Sequence, residues 1–568
     1  MNNTRWLLGA VFTCSLFLAA VIGGEDVLTL FHADSDVRLE RASFGTETRI
    51  QQEAGAGEKS EENKEQGGGF GVSAAHPLAV EAGMNILEQG GNAVDAAIAV
   101  SYVLGVVEPY GSGIGGGGVM LVHPADGREP QTFHYREVAP FSGNMPKQGV
   151  GIPGLVQGME HVHQAYGSMP MDELMEPAIR LAEEGFQIDR LLAERLALYQ
   201  SYLSGEDLSH FYPAGEPLKT GDTLKQPELA ATLKRIRDEG AEAFYEGETA
   251  EHIAKRIRGI TAADLKQYRV REGEPVQGTF GEYEVLATDS PTAGITLIQA
   301  LQMAEAFDLD QLLKEQENYI HLLGEIAHQV YADRLQYIAD PAFVDVPAEE
   351  LISDDYVSYL VQGITKGELS SYPADQTPAD QEDHQNTTHF VIVDQDGMMV
   401  SATHTLSQFF GSGVYVDGFF LNNQLKNFSE NEASLNAPEA GKSPRTYITP
   451  VIITKEGKPV LGIGTPGGKR IPLMLVQVLI NWLYGGQHLQ QAIEQPRFYV
   501  EDQVVYVEEH MAREVISALQ NRGYNINYRR MNSPFYFGGI QALYVDEGGQ
   551  VHGGADSRRG GSWQATNM

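Results

Sequence analysis

The chain reads as a mixed α/β protein, a layered sandwich in which both halves supply sheet and the helices lie outside. Three observations carry this. From Leu155 to about Leu335 the apolar residues mostly keep the spacing of helices, predicted at 155–166, 171–185, 227–239 and 316–336. Beyond Thr387, β-branched and aromatic runs take over, with strands expected at about 388–394, 398–404, 418–422, 447–454 and 459–464. Ahead of both, two apolar helices run into a glycine-rich stretch and the strand Val119–Val122.

The 568 residues include 62 glycines and are 42% hydrophobic, the composition of a globular, loop-rich protein with room for a sizeable core. Acidic residues outnumber basic ones by 77 to 40, a net charge of −37 that argues against nucleic acid as the main partner. A polyanionic substrate would need a local cluster of arginines. Residues 1–25 hold Arg5 and then the uncharged run Trp6–Ile22, which reads as a secretory signal or short anchor and implies export. The single Cys14 lies in that run, so no disulfide is expected in the mature protein. Residues 26–69 are charged and glycine-rich, unable to bury enough apolar area to order themselves, which places the start of the fold near Phe70.

From His76 onward the elements follow in order. Leu78, Ala79, Ala82, Ile86 and Leu87 share one helix face, and Gly90-Gly91 ends it. Asn92 caps a second helix, Ala93–Val107, with Asp95 in its first turn where the helix dipole favours a carboxylate. The glycines from Gly111 to Gly118 lie between a helix and a strand. A phosphate loop needs the opposite order, so close backbone approach is the better reading. Arg136 ends an alternating strand; its fork suits either surface pairing or a carboxylate ligand. Thr261 to Asp264 reads as a capped helix start. The loop Gly464–Arg470 opens a helix over Ile471–Tyr484, and the amides of Gly467 and Gly468 would form a nest for a carboxylate or oxyanion. A strand pair and the doublet Arg558-Arg559 close the chain.

The chemistry concentrates at His384–Asp394. An acidic stretch with a proline, Asp375–Asp383, reads as a mobile loop that stops at Thr387-Thr388, on the edge of a buried strand. A break between Asn386 and Thr387 would leave a hydroxyl and a free α-amine on one residue. Such an amine titrates near about pH 8, so its neutral form can take the hydroxyl proton. The same threonines also suit an ordinary strand start.

Together these segments resemble the γ-glutamyltransferase family. The matching residues are His76-Pro77-Leu78-Ala79, Gly90 to Ala97, Gly113 to Gly118, Tyr135-Arg136-Glu137, Thr387-Thr388-His389, Asn422-Asn423-Gln424 and Pro466-Gly467-Gly468. They occur in family order and cover nearly all of the chain from Phe70 on. The resemblance implies an N-terminal-nucleophile hydrolase with a four-layer αββα sandwich, made as a precursor that cuts itself into fragments 70–386 and 387–568, which stay paired. It implies Thr387 as nucleophile, Thr405 as the supporting hydroxyl, Gly467 and Gly468 as oxyanion donors, and Arg136 as the grip on the substrate α-carboxylate. No metal or organic cofactor is implied, and His389 is expected to be structural.

The departures point to a branch. Glutathione-acting members usually carry Asn two residues after the second threonine, an Asp shortly after Asn-Asn-Gln, and a Ser-Ser pair; this chain has Ser407, Asn427 and Thr446-Tyr447. With Gln424 these are the expected substrate contacts. A neutral Asn427 suits the amide of a glutamyl unit inside a polymer better than a free ammonium. The segment Phe428–Arg445, short where many relatives carry a lid, would leave the cleft open to a chain. These features resemble the poly-γ-glutamate hydrolase/transpeptidases called capsule depolymerases, which implies Arg470, Arg558 and Arg559 as contacts for polymer carboxylates, with water or an amine as acceptor. The alternatives are an ordinary family member acting on glutathione and a non-catalytic exported binding protein that kept the fold.

Overall fold

A computed structural model describes residues 68–205, 208–364, 386–529 and 536–567. The expected export segment with Cys14, nearly all of the linker, and Asp375–Asp383 lie outside the described residues.

Two antiparallel sheets pack face to face. The first has seven strands in the order Ser562–Thr566, Phe70–Ala74, Asn386–Val393, Met399–Ser407, Gly117–His123, Gln131–Tyr135 and Arg271–Gly273. The second has six, in the order Val551–Ala555, Gln541–Val545, Lys458–Gly464, Val451–Lys455, Tyr283–Ala287 and Val276–Phe280. Leu121, Val391 and Met399 from the first sheet meet Leu286, Ile452 and Leu543 from the second in a buried layer between them. Helices including Pro77–Glu88, Ala93–Val107 and Met171–Glu184 belong to the core outside the first sheet. Gly294–Glu305, Gln316–Tyr337 and Ile471–Leu483 belong to the core outside the second. The result is the expected αββα sandwich.

Local chemistry explains the elements nearest the centre. Asn92 Oδ1 accepts from the amides of Val94 and Asp95 at 2.9 and 3.0 Å, and Asp95 returns a carboxylate oxygen to the Asn92 N–H at 3.0 Å. This closed capping box starts a helix whose small side chains let almost every residue be buried. The glycine run does what the sequence suggested. A Cβ on Gly115 would lie 2.1 Å from the Phe420 carbonyl oxygen, and one on Gly116 would lie 2.4 Å from that of Thr405. Glycine there lets the turn lie directly against the strand that carries Thr405.

Two strand expectations are corrected. The run at 447–454 becomes a strand only over Val451–Lys455, because Pro450 has no N–H to give the ladder. The run at 418–422 shrinks to Phe419–Phe420. Asp417 and Gly418, at φ +47° and +92°, form a turn before it, and the chain bends after Leu421 toward a short 3-10 turn at Gln424–Asn427.

Candidate active site

The central strand begins at Asn386, two residues earlier than expected, so the candidate junction sits inside the sheet. Asn386 pairs opposite Ser407 but Thr388 pairs opposite His404, which leaves both Thr405 and Leu406 facing Thr387. This is a β-bulge, and it re-aims side chains. The Leu406 N–H leaves the ladder for the Gly111 carbonyl at 3.2 Å, and Ser407 is forced to φ +80°. The two threonine hydroxyls converge. Thr387 Oγ1 donates to the Asn386 carbonyl oxygen at 2.6 Å and Thr405 Oγ1 donates to the same atom at 2.7 Å. Thr405 Oγ1 in turn accepts from the Ser407 N–H at 2.8 Å.

Beside this junction lies a pocket of about 270 Å³. Thr387, Thr405 and Ser407 form one wall, Gln424 and Asn427 a second, and Thr446, Tyr447, Gly468 and Ile471 the rest. Gly467 and Gly468 hold φ values of +147° and +60°, a backbone that glycine alone adopts without strain, at the entry to the Ile471–Leu483 helix. Asn422 anchors the second wall. Its amide donates to the Gly115 and Gly151 carbonyls, each at 2.9 Å, and its Oδ1 accepts from Gly151 at 2.9 Å and Gln424 at 3.1 Å. By contrast Ser407 Oγ, both polar atoms of the Gln424 side chain and Asn427 Oδ1 are buried with no hydrogen-bond partner among the described residues. Each such group costs about 1–3 kcal/mol unless a ligand or water satisfies it. Their convergence in one pocket marks a site for a polar ligand.

One contributor carries no local signature in the sequence. Arg334, on the Gln316–Tyr337 helix, donates to the Thr446 carbonyl at 2.6 Å and the Thr292 carbonyl at 3.1 Å, and stacks 4.2 Å above the Tyr447 ring. It fixes the Thr446-Tyr447 wall from outside. Arg334→Met is therefore expected to raise KM for a small γ-glutamyl substrate about tenfold while kcat stays within about twofold, the mark of lost uniform binding. Steady-state kinetics on a γ-glutamyl anilide check this.

The arginines expected from the sequence lie outside the pocket wall. Arg136 is buried with its guanidinium 3.5 Å from Glu137, whose carboxyl burial pushes up to about 7. Its strand end lies at the same end of the sheet as Thr405, since Gly117 pairs with Thr405 and Gly118 with Tyr135. Arg470 is fully buried, donates to the Tyr536 carbonyl at 2.7 Å and stacks 4.3 Å above the Tyr536 ring. Arg559 is buried, and burial with the nearby positive charge of Arg195 pulls it down to about 9. Arg558 departs from expectation. It holds Glu508 at 2.5 and 2.7 Å and Asp556 at 3.2 Å, an ion-pair network that ties the chain terminus to the loop before Arg513. Folding brought carboxylates to it first.

His389 and His404 lie on the central strand pair and are fully buried. His389 shares a 2.8 Å hydrogen bond with Thr403 Oγ1, and His404 a 2.7 Å bond with the Tyr135 hydroxyl. Burial pulls each down to about 3, so both are neutral in the fold. In the unfolded chain they would take a proton near about pH 6.5. The unfolded state then binds more protons, and stability is lost as pH falls from about 6.5 toward 3, by about 1.4 kcal/mol per unit for each histidine. Glu108 and Glu137, held up at about 7, act in the opposite sense between about pH 4.5 and 7. The expected result is a smaller fall in Tm between about pH 6.5 and 4 for His404→Gln than for the native chain, read by thermal unfolding.

A strand-borne threonine at the centre of an αββα sandwich, beside a second hydroxyl and a glycine nest, is the arrangement of the N-terminal-nucleophile hydrolases. The crystal structure of cephalosporin acylase from Bacillus halodurans is similar over 91% of this chain and 99% of that one, with a TM-score of 0.78 and 27% identity. The Gamma-glutamyltranspeptidase family matches residues 79–566, and the chain belongs to that family. It is thus a γ-glutamyl transpeptidase/hydrolase enzyme. It is 44% identical to the capsule biosynthesis protein CapD proenzyme of Bacillus anthracis over all of both chains. To the glutathione hydrolase proenzyme of Bacillus subtilis it is 36% identical, over 88% of this chain and 91% of that one.

Proposed function

We propose that the protein is exported, cuts itself between Asn386 and Thr387, and then processes poly-γ-glutamate. In the first step Thr387 Oγ1 attacks the Asn386 carbonyl carbon, the C–N bond breaks, and the chain passes through an ester on the threonine. Water cleaves that ester, leaving a carboxylate on Asn386 and a free amine on Thr387. In each later cycle Thr387 Oγ1 attacks a γ-glutamyl amide while its own amine takes the hydroxyl proton. The oxyanion forms against the amides of Gly467 and Gly468. The amine leaves, and the γ-glutamyl ester passes to water, which shortens the polymer, or to a cell-wall amine, which anchors it.

The observation that carries the polymer reading is the neutrality of the pocket. Ser407, Gln424 and Asn427 offer bare polar atoms, and among the described residues no carboxylate lines the cavity. A terminal glutamyl ammonium would require a charged partner at a buried position. An amide N–H inside a polymer requires only an acceptor such as Asn427 Oδ1. The likeness to a capsule biosynthesis proenzyme supports this reading. The second reading, hydrolysis of small γ-glutamyl compounds such as glutathione, draws on the likeness to a glutathione hydrolase proenzyme.

The test is incubation of the matured protein with poly-γ-glutamate, following chain length, with added amines to separate transfer from hydrolysis. Shortening supports the polymer reading; turnover of a γ-glutamyl anilide without shortening returns the protein to small substrates. Asn427→Asp is expected to improve kcat/KM for the anilide about tenfold, by supplying a partner for the free ammonium. No gain would count against this account of the pocket.

A further inference from the structure

The reaction at the junction demands more than two hydroxyls. The Asn386 peptide plane must be held so that its carbonyl stays between Thr387 and Thr405, and the bulge between Asn386 and Thr388 interrupts the regular ladder there. The Asn386 side chain supplies the missing anchor. It is buried, and its Nδ2 donates to the Tyr110 carbonyl and, at 3.3 Å, to the Gln408 carbonyl. Both acceptors are themselves fixed. The Tyr110 carbonyl also accepts from the Phe410 N–H at 3.0 Å, and the Tyr110 hydroxyl donates to Glu108 Oε1 at 2.9 Å. Gly111 N–H closes the same turn on the Glu108 carbonyl at 2.7 Å. On the other side Asn423 holds Gln408 twice, accepting from its N–H at 3.0 Å and donating to its Oε1 at 2.7 Å.

We propose that the Asn386 side chain is a positioning residue for self-cleavage: its amide, clamped by the Tyr110 and Gln408 carbonyls, holds the scissile carbonyl against the hydroxyls of Thr387 and Thr405. The inference rests on the reading that the chain cuts itself at Asn386–Thr387. It goes further in assigning a role to the residue that is cut away from the nucleophile. The chemistry requires a donor at this position, because two carbonyl oxygens face it. An apolar side chain would leave those oxygens only the Phe410 and Gly411 N–H groups, at 3.0 and 2.8 Å, and release the peptide plane. A carboxylate would be repelled by both, but a protonated carboxyl could still donate one hydrogen bond.

The experiment is pulse-labelled synthesis of the full chain, followed by gel analysis of the intact and split forms over time. The expected result is that Asn386→Ala and Asn386→Leu split about 10- to 100-fold more slowly than the native chain, the size of effect that a misplaced reacting group produces. Asn386→Asp should be slow at pH 8 and recover, relative to the native chain at the same pH, as the solution is brought to pH 5. That comparison cancels the titration of Glu108 beside Tyr110 and the charges of Asp189 and Arg559 that face it. A merely structural asparagine would show such a recovery only together with a matching fall and recovery of Tm. To separate folding from positioning, each variant is also made with Thr387→Ala and its Tm measured; a fall of less than about 3 °C is expected, because both carbonyls that lose the Asn386 amide keep a backbone donor. If Asn386→Ala splits within twofold of the native rate, or Asn386→Asp shows no pH recovery, the clamp is refuted while self-cleavage stands. If the native chain itself stays whole, the reading beneath the proposal fails instead.

Discussion

Thr387→Ala is expected to stay a single chain of full length and to lose at least about 10⁴-fold in turnover of any γ-glutamyl substrate. The reason is chemical economy: in the proposed mechanism one residue supplies nucleophile, base and cleavage site, so its loss removes all three together. The substitution should leave the fold intact. It deletes one buried hydroxyl whose single hydrogen bond runs to the neighbouring Asn386 carbonyl at 2.6 Å, a contribution of about 1 kcal/mol. Thr387→Ser keeps the hydroxyl and should split, with residual turnover. Gel analysis with a γ-glutamyl anilide assay reads both outcomes. A Thr387→Ala chain that splits after Asn386 would end the assignment of the nucleophile.

Thr405→Val comes next in expected effect. Valine copies the shape of threonine but removes a donor 2.7 Å from the carbonyl oxygen on which charge would develop in the proposed self-cleavage. Loss of one such donor costs about 10²- to 10³-fold in rate. The change also strands the Ser407 N–H, which now bonds to Thr405 Oγ1 at 2.8 Å and sits on a strained backbone at φ +80°. Splitting of the labelled precursor should therefore slow by at least about 100-fold, and Thr405→Ser should restore most of the rate. If Thr405→Val splits normally, the converging hydroxyls have no role in the cut.

Much of the fold was legible because its signals are local. The box at Asn92 and Asp95 and the one at Thr261 and Asp264 close within four residues, so the sequence states both partners. The glycines before Val119 announced a close backbone approach, though not that Phe420 and Thr405 would be the neighbours. The strand expected from Tyr447 failed at Pro450. That failure matters, because the irregular stretch before Pro450 is the pocket wall that Arg334 holds.

The candidate site divides in the same way. The sequence, read with its family resemblance, supplied the candidate nucleophile Thr387, its order relative to the glycine loop, and the neutral Asn427 where relatives carry an acid. Each rests on residue type at a position along one chain. Tertiary structure alone decided that a bulge brings Thr405 onto the Asn386 carbonyl, that Tyr110 and Gln408 grip Asn386, and that Arg558 belongs to Glu508 and Asp556. A guanidinium or a side-chain amide bonds to whatever acceptor folding brings within about 3 Å, and that acceptor can lie hundreds of residues away.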